Sequence, residues 1–166
     1  MNPVRMSAET MERDDTYYMQ LALYEAETAQ RKGEVPVGAV VVSGNEVLSS
    51  GFNSSVAGHD PTAHAEVVAL RRAGTLLGNH RLPDCDLYVT LEPCVMCLGA
   101  MIQARIRRLV FGALDPKSGA VESIMAFPME KTNHRMQIKG GVLGLECGRI
   151  LRDFFRAKRV QPGKIE

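Results

Sequence analysis

Four residues in two short segments have the types and spacing of a metal-dependent hydrolytic site. His64 and Glu66 form an H-x-E segment, and Cys94 and Cys97 form a P-C-x-x-C segment with Pro93. A zinc ion that activates water needs three protein ligands and one open coordination position, and one imidazole with two thiolates would supply the three ligands. Glu66 need not be a ligand, because a carboxylate beside the open position can move a proton from water to a leaving group. The pattern predicts a zinc site with Glu66 as the proton shuttle.

The alternatives for these residues are a structural zinc site and a C-x-x-C pair with no metal role. Structural zinc usually takes four protein ligands, whereas the two segments supply three. A purely structural site also has no need of an acid/base residue such as Glu66. Both considerations favour the catalytic interpretation.

The H-x-E segment is predicted to open a helix. Asp60 followed by Pro61 is typical of a helix N-terminus, with the aspartate as the cap and the proline in the first helical position. His64 and Glu66 would then lie in the opening turns of a helix that ends at Gly74.

The P-C-x-x-C segment is predicted to open a second helix, which runs to about Ala104. Pro93 suits the first helical position, and Cys94 and Cys97 are three residues apart, so both sulfurs would lie on one face. The two helix starts would face each other across the metal. Their positive dipole ends would help to keep the thiolates and the carboxylate ionised.

The other elements imply an α/β architecture with one mixed sheet between helical layers. Strands are indicated by β-branched and apolar runs, and helices by apolar residues at helical spacing. In chain order we expect a helix over 16–32, strands over 35–42 and 46–52, the helix over 61–73, a strand over 87–91, the helix over 93–104, a strand over 109–111, a long loop over 113–128 with a helical turn near 123–125, a weak strand over 136–139 and a helix over 145–159.

Composition limits the function classes. The chain has 166 residues, 45% of them hydrophobic, which predicts one compact domain over residues 15–166 after a polar, mobile leader over 1–14. A net charge of +1 argues against a uniformly basic nucleic-acid-binding protein, so RNA contacts would need a local patch. The few cysteines, the lack of a secretory leader and the lack of a membrane-length apolar run favour the cytoplasm.

Five segments resemble the bacterial tRNA-specific adenosine deaminases, the TadA family. The segments are residues 34–40 (EVPVGAV), 59–66 (HDPTAHAE), 87–97 (LYVTLEPCVMC), 133–135 (NHR) and 153–156 (DFFR). The resemblance implies a three-layer α-β-α cytidine-deaminase-like fold, a homodimer and one zinc ion (Zn2+) per subunit. It also implies that the protein deaminates adenosine to inosine at the wobble position of the anticodon stem-loop of a tRNA.

The resemblance also assigns roles to residues of this chain. His64, Cys94 and Cys97 match the zinc ligands of the family, and Glu66 matches its proton shuttle. Asn53 matches a side chain that hydrogen-bonds the flipped base, and an amide suits a purine edge because it both donates and accepts. The alternative for Asn53 is a turn residue after the second strand.

Further matched positions contact RNA in the family, and each has a competing interpretation. Asp115 could simply form a turn with Pro116, and the basic residues after Arg149 could form a solvated helix face. Of the adjacent rings of Phe154 and Phe155, one is expected to pack in the core while the other stacks on a nucleotide. The matched RNA-contact positions are Asp115, Lys117, Asn133, Phe154 and Arg156.

Two other functions remain open from the residues alone. A small-molecule deaminase of the same fold, acting on guanine or cytosine, would share the zinc signature but has little use for a basic, aromatic C-terminal helix. A non-enzymatic, zinc-stabilised RNA-binding module would not need Glu66. Met96, Met101 and Ile102 are expected to lie in the core or at the dimer interface, because Met at helical spacing usually packs.

Overall fold

The computed structural model describes residues 13–161 of the chain. Its elements follow the predicted order, with boundaries that move by a few residues. They are α1 (Asp15–Arg31), β1 (Gly38–Ser43), β2 (Glu46–Phe52), α2 (Ala65–Leu77), β3 (Cys85–Leu91), α3 (Val95–Gln103), β4 (Arg108–Ala113), a 3-10 turn (Met129–Lys131), β5 (Gln137–Lys139) and α4 (Gly144–Val160).

The five strands form one mixed sheet in the order β2-β1-β3-β4-β5. β1 pairs antiparallel with both β2 and β3, whereas β3, β4 and β5 run parallel. Parallel pairing brings the carboxyl ends of β3 and β4 to the same edge, with Leu91 opposite Ala113. Ligand sites in open α/β sheets favour this kind of edge.

Helices cover both faces of the sheet, which confirms the three-layer α-β-α prediction. Alternate residues of a strand point to opposite faces. Val40 of β1 belongs to a buried cluster with Tyr18 and Met19 of α1 and with Cys147 of α4. The neighbouring residue Val41 belongs to a second cluster that includes buried residues of α2 and α3. α1 and α4 therefore form one layer, and α2 and α3 the other.

An ionic cluster ties α1 to the three parallel strands. The Asp15 carboxylate accepts hydrogen bonds from Tyr88 (2.8 Å), from Arg108 (2.7 and 3.2 Å) and from Lys139 (2.7 Å). Burial acts to raise the pKa of Asp15, but these donors outweigh it and hold the pKa well below its usual range. Arg108 is the first residue of β4, whereas Ala113 is its last, so the cluster lies away from the Leu91 and Ala113 edge.

α2 begins and ends later than predicted. Asp60 does not cap a helix; its Oδ1 accepts from the N–H (2.8 Å) and the hydroxyl (2.7 Å) of Thr62 and so closes a turn. The helix starts at Ala65, with His64 as the N-cap residue. It continues through Gly74 and ends at Gly78, whose left-handed backbone (φ 61°) suits glycine.

α3 also starts later than predicted, at Val95. Cys94 is the N-cap residue, so Pro93 precedes the helix instead of opening it. In the following loop, the predicted helical turn near residues 123–125 is absent from the part of the chain that the structure describes. A 3-10 turn lies instead at Met129–Lys131.

Most of the predicted leader, residues 1–12, lies outside the described residues. Its last residue, Asp14, is the N-cap of α1 and accepts a hydrogen bond from the N–H of Tyr17. Within residues 13–161, no helix combines the length and the apolar character needed to cross a membrane.

Candidate active site

Two helix N-termini converge on a cluster of one imidazole and two thiols. His64 occupies the N-cap position of α2, Cys94 occupies that of α3, and Cys97 lies in the first turn of α3. His64 Nδ1 lies 3.6 Å from Cys94 Sγ and 3.5 Å from Cys97 Sγ. All three potential ligand atoms lie within 4.8 Å of one another. The predicted arrangement of the two helix starts is therefore confirmed.

The cluster fits a single tetrahedral metal ion of the zinc type. Zn–N bonds of about 2.05 Å and Zn–S bonds of about 2.3 Å, at tetrahedral angles, require N and S atoms roughly 3.6 Å apart. The two observed N to S separations match that value. A set of one nitrogen and two sulfur donors is also typical of zinc, and it leaves one coordination position for water or substrate.

The ionisable groups of the cluster affect one another. The hydrogen bond with Cys97, opposed by burial and assisted by His64, lowers the pKa of Cys94 to about 4. The pKa of Cys97 is raised, by its contact with Cys94 and by burial. The thiolate is the form of cysteine that binds metal, so the lowered pKa of Cys94 favours metal binding.

Glu66 is the second residue of α2 and lies beside the cluster. Its side chain lines the same cavity as His64 and Cys94, yet the residue is only 4% exposed. Burial raises the pKa of Glu66 to about 7. A carboxyl group in this position can exchange a proton with a ligand in the cavity.

Asn53 connects the end of β2 to the start of α2. Its Oδ1 accepts a hydrogen bond from the N–H of Ala65, the first residue of α2, at 2.9 Å. This N–H can only donate, so the amide orientation is determined, and the NH2 group is the part available to a ligand. Asn53 also lines the cavity.

The cavity measures about 680 Å³, which lies within the range of small-molecule sites. One wall is apolar and includes Val35, Val37 and Leu91. A second wall is the loop that follows β4, residues 114–118, and a third is one face of α4. The metal cluster, Glu66 and Asn53 complete the lining.

The α4 face carries positive charge and one aromatic ring. Arg152, Phe155 and Arg159 recur at three- and four-residue spacing and line the cavity. Lys117 approaches from the opposite loop, with its Nζ 5.6 Å from the centre of the Phe155 ring. Phe155 is 41% exposed, so its ring is accessible to a ligand.

Comparisons with known proteins agree with this chemistry. A family model described as MafB19-like deaminase matches residues 13–159. A tRNA-specific adenosine deaminase of Agrobacterium fabrum is 49% identical over 146 residues, which cover 87% of this chain and 96% of that protein. The chain belongs to the MafB19-like deaminase family. Another relative, a tRNA-specific adenosine deaminase of Haemophilus influenzae, is 47% identical to this deaminase and covers 92% of it and 88% of its own length.

Solved structures similar to this deaminase include two kinds of enzyme. One is a structure from a study of A-to-I editing by tRNA:A34 deaminases at the wobble position of transfer RNA. Its TM-score is 0.79 and its sequence identity is 47%. It covers 82% of this deaminase and 99% of its own chain. A guanine deaminase from Nitrosomonas europaea has a TM-score of 0.72 and 27% identity, and the match covers 84% of this deaminase and 83% of that chain.

The positions predicted from the family resemblance fall into two groups, those at the cavity or the metal cluster and those outside the cavity. His64, Glu66, Cys94 and Asn53 all line the cavity of this deaminase, and Cys97 lies directly behind them in the metal cluster. Lys117 and Asp115 also line it. The Asp115 carboxylate is engaged within its own loop, where it accepts from the N–H groups of Lys117 and Ser118 and from the Ser118 hydroxyl. The turn interpretation of Asp115 therefore describes its observed contacts.

Three other predicted positions lie outside the cavity. Phe154 is 6% exposed and belongs to the core, with Lys158 Nζ 4.7 Å from its ring centre, so Phe155 is the ring that faces the cavity. Asn133 accepts a hydrogen bond from Arg105 (2.8 Å), which follows α3 at its far end from the metal cluster. Arg156 is exposed on α4, 3.9 Å from Asp153.

Some cavity residues are not among the positions that the family resemblance matches one by one. Arg152 and Arg159 belong to the basic residues after Arg149, and each lies one turn from Phe155, so the three side chains share one helix face. The apolar wall formed by Val35 and Val37 was assigned to a strand. Glu92 is the least predictable member, because its hydrogen-bond partners lie 23 to 31 residues away in sequence.

Proposed function

We propose that this protein hydrolytically deaminates adenosine to inosine at the wobble position of a tRNA anticodon, with one zinc ion held by His64, Cys94 and Cys97. One observation carries the proposal: a metal-type cluster and a buried glutamate lie in a cavity whose rim is basic and aromatic. The cluster suits hydrolysis, and the rim suits a nucleic acid. Relatives named as tRNA-specific adenosine deaminases, at 41% to 49% identity, support the choice of substrate.

The chain's own residues account for the proton transfers. Zinc, when bound, would supply a water molecule activated for attack on C6 of adenine. Glu66 takes a proton from that water, delivers it to the ring nitrogen and then assists the departure of ammonia. The carboxylate lies in the cavity lining beside His64 and Cys94, where such a proton must move.

Asn53 and the apolar wall orient the base. The Asn53 NH2 donates to an acceptor nitrogen of the purine, while its oxygen remains on the Ala65 N–H. Val35 and Val37 bury one face of the ring system. The same hydrogen bond ties Asn53 to the start of α2, which carries Glu66. The position of the base relative to the Glu66 carboxylate is therefore fixed.

The rim binds the RNA around the extruded nucleotide. Turning a base out of a stacked loop costs a few kcal/mol, and contacts to flanking nucleotides must offset that cost. Phe155 offers an exposed ring for stacking, which is worth about 1–3 kcal/mol per base. Lys117, Arg152 and Arg159 at the cavity, and Arg156 outside it, supply cations for phosphates.

We also propose that the protein is a homodimer that works in the cytoplasm. Met101 and Ile102 of α3 are buried in the core, so the interface part of α3 is its exposed start, where Val95 is 51% exposed and Met96 is partly buried. The four free cysteines suit a reducing compartment.

Substrate competition tests the proposed function. An anticodon stem-loop with adenosine at the wobble position is incubated with the zinc-loaded protein, in parallel with free adenosine, guanine and cytosine, and released ammonia is measured. The stem-loop should be deaminated at least a hundredfold faster than any free base or nucleoside, because only the RNA reaches the rim. Equal or faster turnover of free guanine would replace this proposal with the small-molecule function that the guanine deaminase similarity suggests.

A further inference from the structure

Glu92, the residue before Pro93, is a buried carboxylate that receives five hydrogen bonds from one loop. It is 1% exposed at the carboxyl end of β3. Oε1 accepts from the N–H of Asp115 (3.1 Å) and from the Ser123 hydroxyl. Oε2 accepts from the N–H groups of Val121 (3.1 Å), Glu122 (2.9 Å) and Ser123 (3.1 Å). Three consecutive backbone N–H groups pointing at one oxygen form an anion-binding nest.

The loop is shaped to this carboxylate. A Cβ atom at Gly119 would lie 2.3 to 2.4 Å from the carboxylate carbon and oxygens of Glu92, so only glycine allows the loop to approach so closely. The N–H of Ala120 donates to the Pro93 carbonyl at 2.9 Å, beside the carboxylate. The loop is therefore hydrogen-bonded to both Glu92 and Pro93.

The same loop forms a wall of the candidate active site. Residues 114–118 line the cavity, and three of them, 116–118 with Lys117, lie between the first anchored amide, at Asp115, and the nest at 121–123. Two residues after Glu92 comes the metal-ligand position Cys94. A single side chain thus connects the metal-bearing end of β3 to the wall that faces the substrate.

Burying a charged carboxylate costs free energy that an apolar core residue would avoid. Five hydrogen bonds from the loop compensate the Glu92 carboxylate for this cost. A carboxylate has two oxygens that accept hydrogen bonds. A glutamine amide of the same size has only one, and its NH2 group would face the N–H donors of the loop. The negative charge of Glu92 therefore suits the N–H donors of this loop.

We infer that Glu92 is a positioning residue for RNA binding, which fixes the 114–123 loop so that its cavity wall is already formed when the substrate arrives. The inference rests on the proposed function for the identity of the substrate. Preorganisation lowers the cost of ordering a loop on binding, so its loss appears mainly in KM and less in kcat.

Two variants perturb the anchor from opposite sides. Glu92→Gln removes the second acceptor, and Gly119→Ala places a methyl group against the carboxylate at a position 25 residues from Cys94 in sequence. Glu122→Gln is the matched control, because its exposed side chain changes charge in the same loop while its backbone N–H remains. Glu34→Gln controls for general destabilisation, since the buried Glu34 carboxylate holds a different loop through N–H groups at residues 56 and 57.

Three measurements are made on the full-length, zinc-loaded protein: zinc per chain, amide hydrogen exchange by NMR, and kcat and KM with the anticodon stem-loop. In both anchor variants, exchange at residues 121–123 should accelerate at least tenfold, KM should rise about tenfold, kcat should change less than threefold and zinc should stay at the level of the unaltered protein. Glu122→Gln should match the unaltered protein in all of these. Glu34→Gln should leave exchange at 121–123 within twofold.

The inference is overturned if exchange at 121–123 does not change in either variant, if zinc is lost from both, or if kcat falls while KM is unchanged. If Glu92→Gln does not fold, Gly119→Ala decides alone by the same criteria. Should the unaltered protein fail to deaminate the stem-loop, the proposed function and this inference fall together. Activity in the unaltered protein with an unchanged KM in the anchor variants refutes only the inference.

Discussion

We propose that Asn53 performs two tasks through different atoms, one at the start of α2 and one at the base, and two substitutions should therefore have separable effects. Its carbonyl oxygen caps the first N–H of α2 at 2.9 Å, and its NH2 group faces the cavity. Asn53→Ala removes both groups. Asn53→Asp keeps an acceptor for the Ala65 N–H, and it adds negative charge at a helix N-terminus, where such charge is favourable. Only the donor to the base is lost in the aspartate variant.

The magnitudes follow from those contacts. Loss of a helix N-cap costs about 1 kcal/mol, which lowers Tm by about 2–4 °C for a chain of this size. Loss of the donor leaves a buried acceptor of the base unpaired, at about 2 kcal/mol, which corresponds to roughly a 30-fold lower kcat/KM. Asn53→Ala should show both losses, and Asn53→Asp should show the kinetic loss without the fall in Tm.

The assay combines calorimetric Tm with stem-loop kinetics, after zinc content has been shown to be equal in all three proteins. The difference in Tm between the two variants measures the retained acceptor together with the negative charge that Asn53→Asp adds at the helix N-terminus. An aspartate variant with the unaltered kcat/KM would refute the assignment of the NH2 group to the base. An alanine variant with an unaltered Tm would refute the capping role.

Three further predictions concern the metal, the ionic cluster and assembly. Cys94→Ala and Cys97→Ala should each lose most of the bound zinc, measured by atomic absorption after dialysis, because each removes one of three ligands; full zinc occupancy in both would contradict the site. Asp15→Asn should lower the free energy of unfolding, measured in urea, by about 2 kcal/mol at pH 7. Because the pKa of Asp15 is depressed in the folded state, the difference in unfolding free energy between the two proteins should shrink as the pH falls below about 4. A difference that is constant down to pH 2 would contradict this. The unaltered protein should be a dimer by light scattering at micromolar concentration, and Val95→Asp should yield monomers; a monomeric unaltered protein would refute the dimer.

The elements of the fold were predictable because their signals are local. β-branched runs, helical spacing and helix-start residues together indicated every strand and α-helix of the fold, and the metal-type cluster followed from two short motifs. The start of α2 was predicted wrongly because Asp60 and Pro61 resemble a helix start, whereas the actual cap acceptor comes from Asn53, twelve residues before Ala65. A cap that is remote in sequence leaves no local pattern.

The cavity walls were less predictable because they depend on packing between distant segments. Spacing alone showed that Phe154 and Phe155 cannot share a face, but only the packing of α4 against the sheet places Phe154 inside and Phe155 at the cavity. Glu92 looked like an ordinary residue between a strand and a proline. Its role depends on a loop whose closest approach, at Gly119, lies 27 residues further along the chain.

We propose that a zinc ion held by His64, Cys94 and Cys97 acts with Glu66 to convert the wobble adenosine of a tRNA to inosine. The most direct test incubates total tRNA with the zinc-loaded protein and maps new inosines by reverse-transcription sequencing, with Glu66→Gln as the matched control. Inosine should form at the wobble position with the unaltered protein, and the rate should be at least a hundredfold lower with Glu66→Gln at equal zinc content. Inosine formation by Glu66→Gln at the unaltered rate, or its absence from the wobble position with the unaltered protein, would contradict the account.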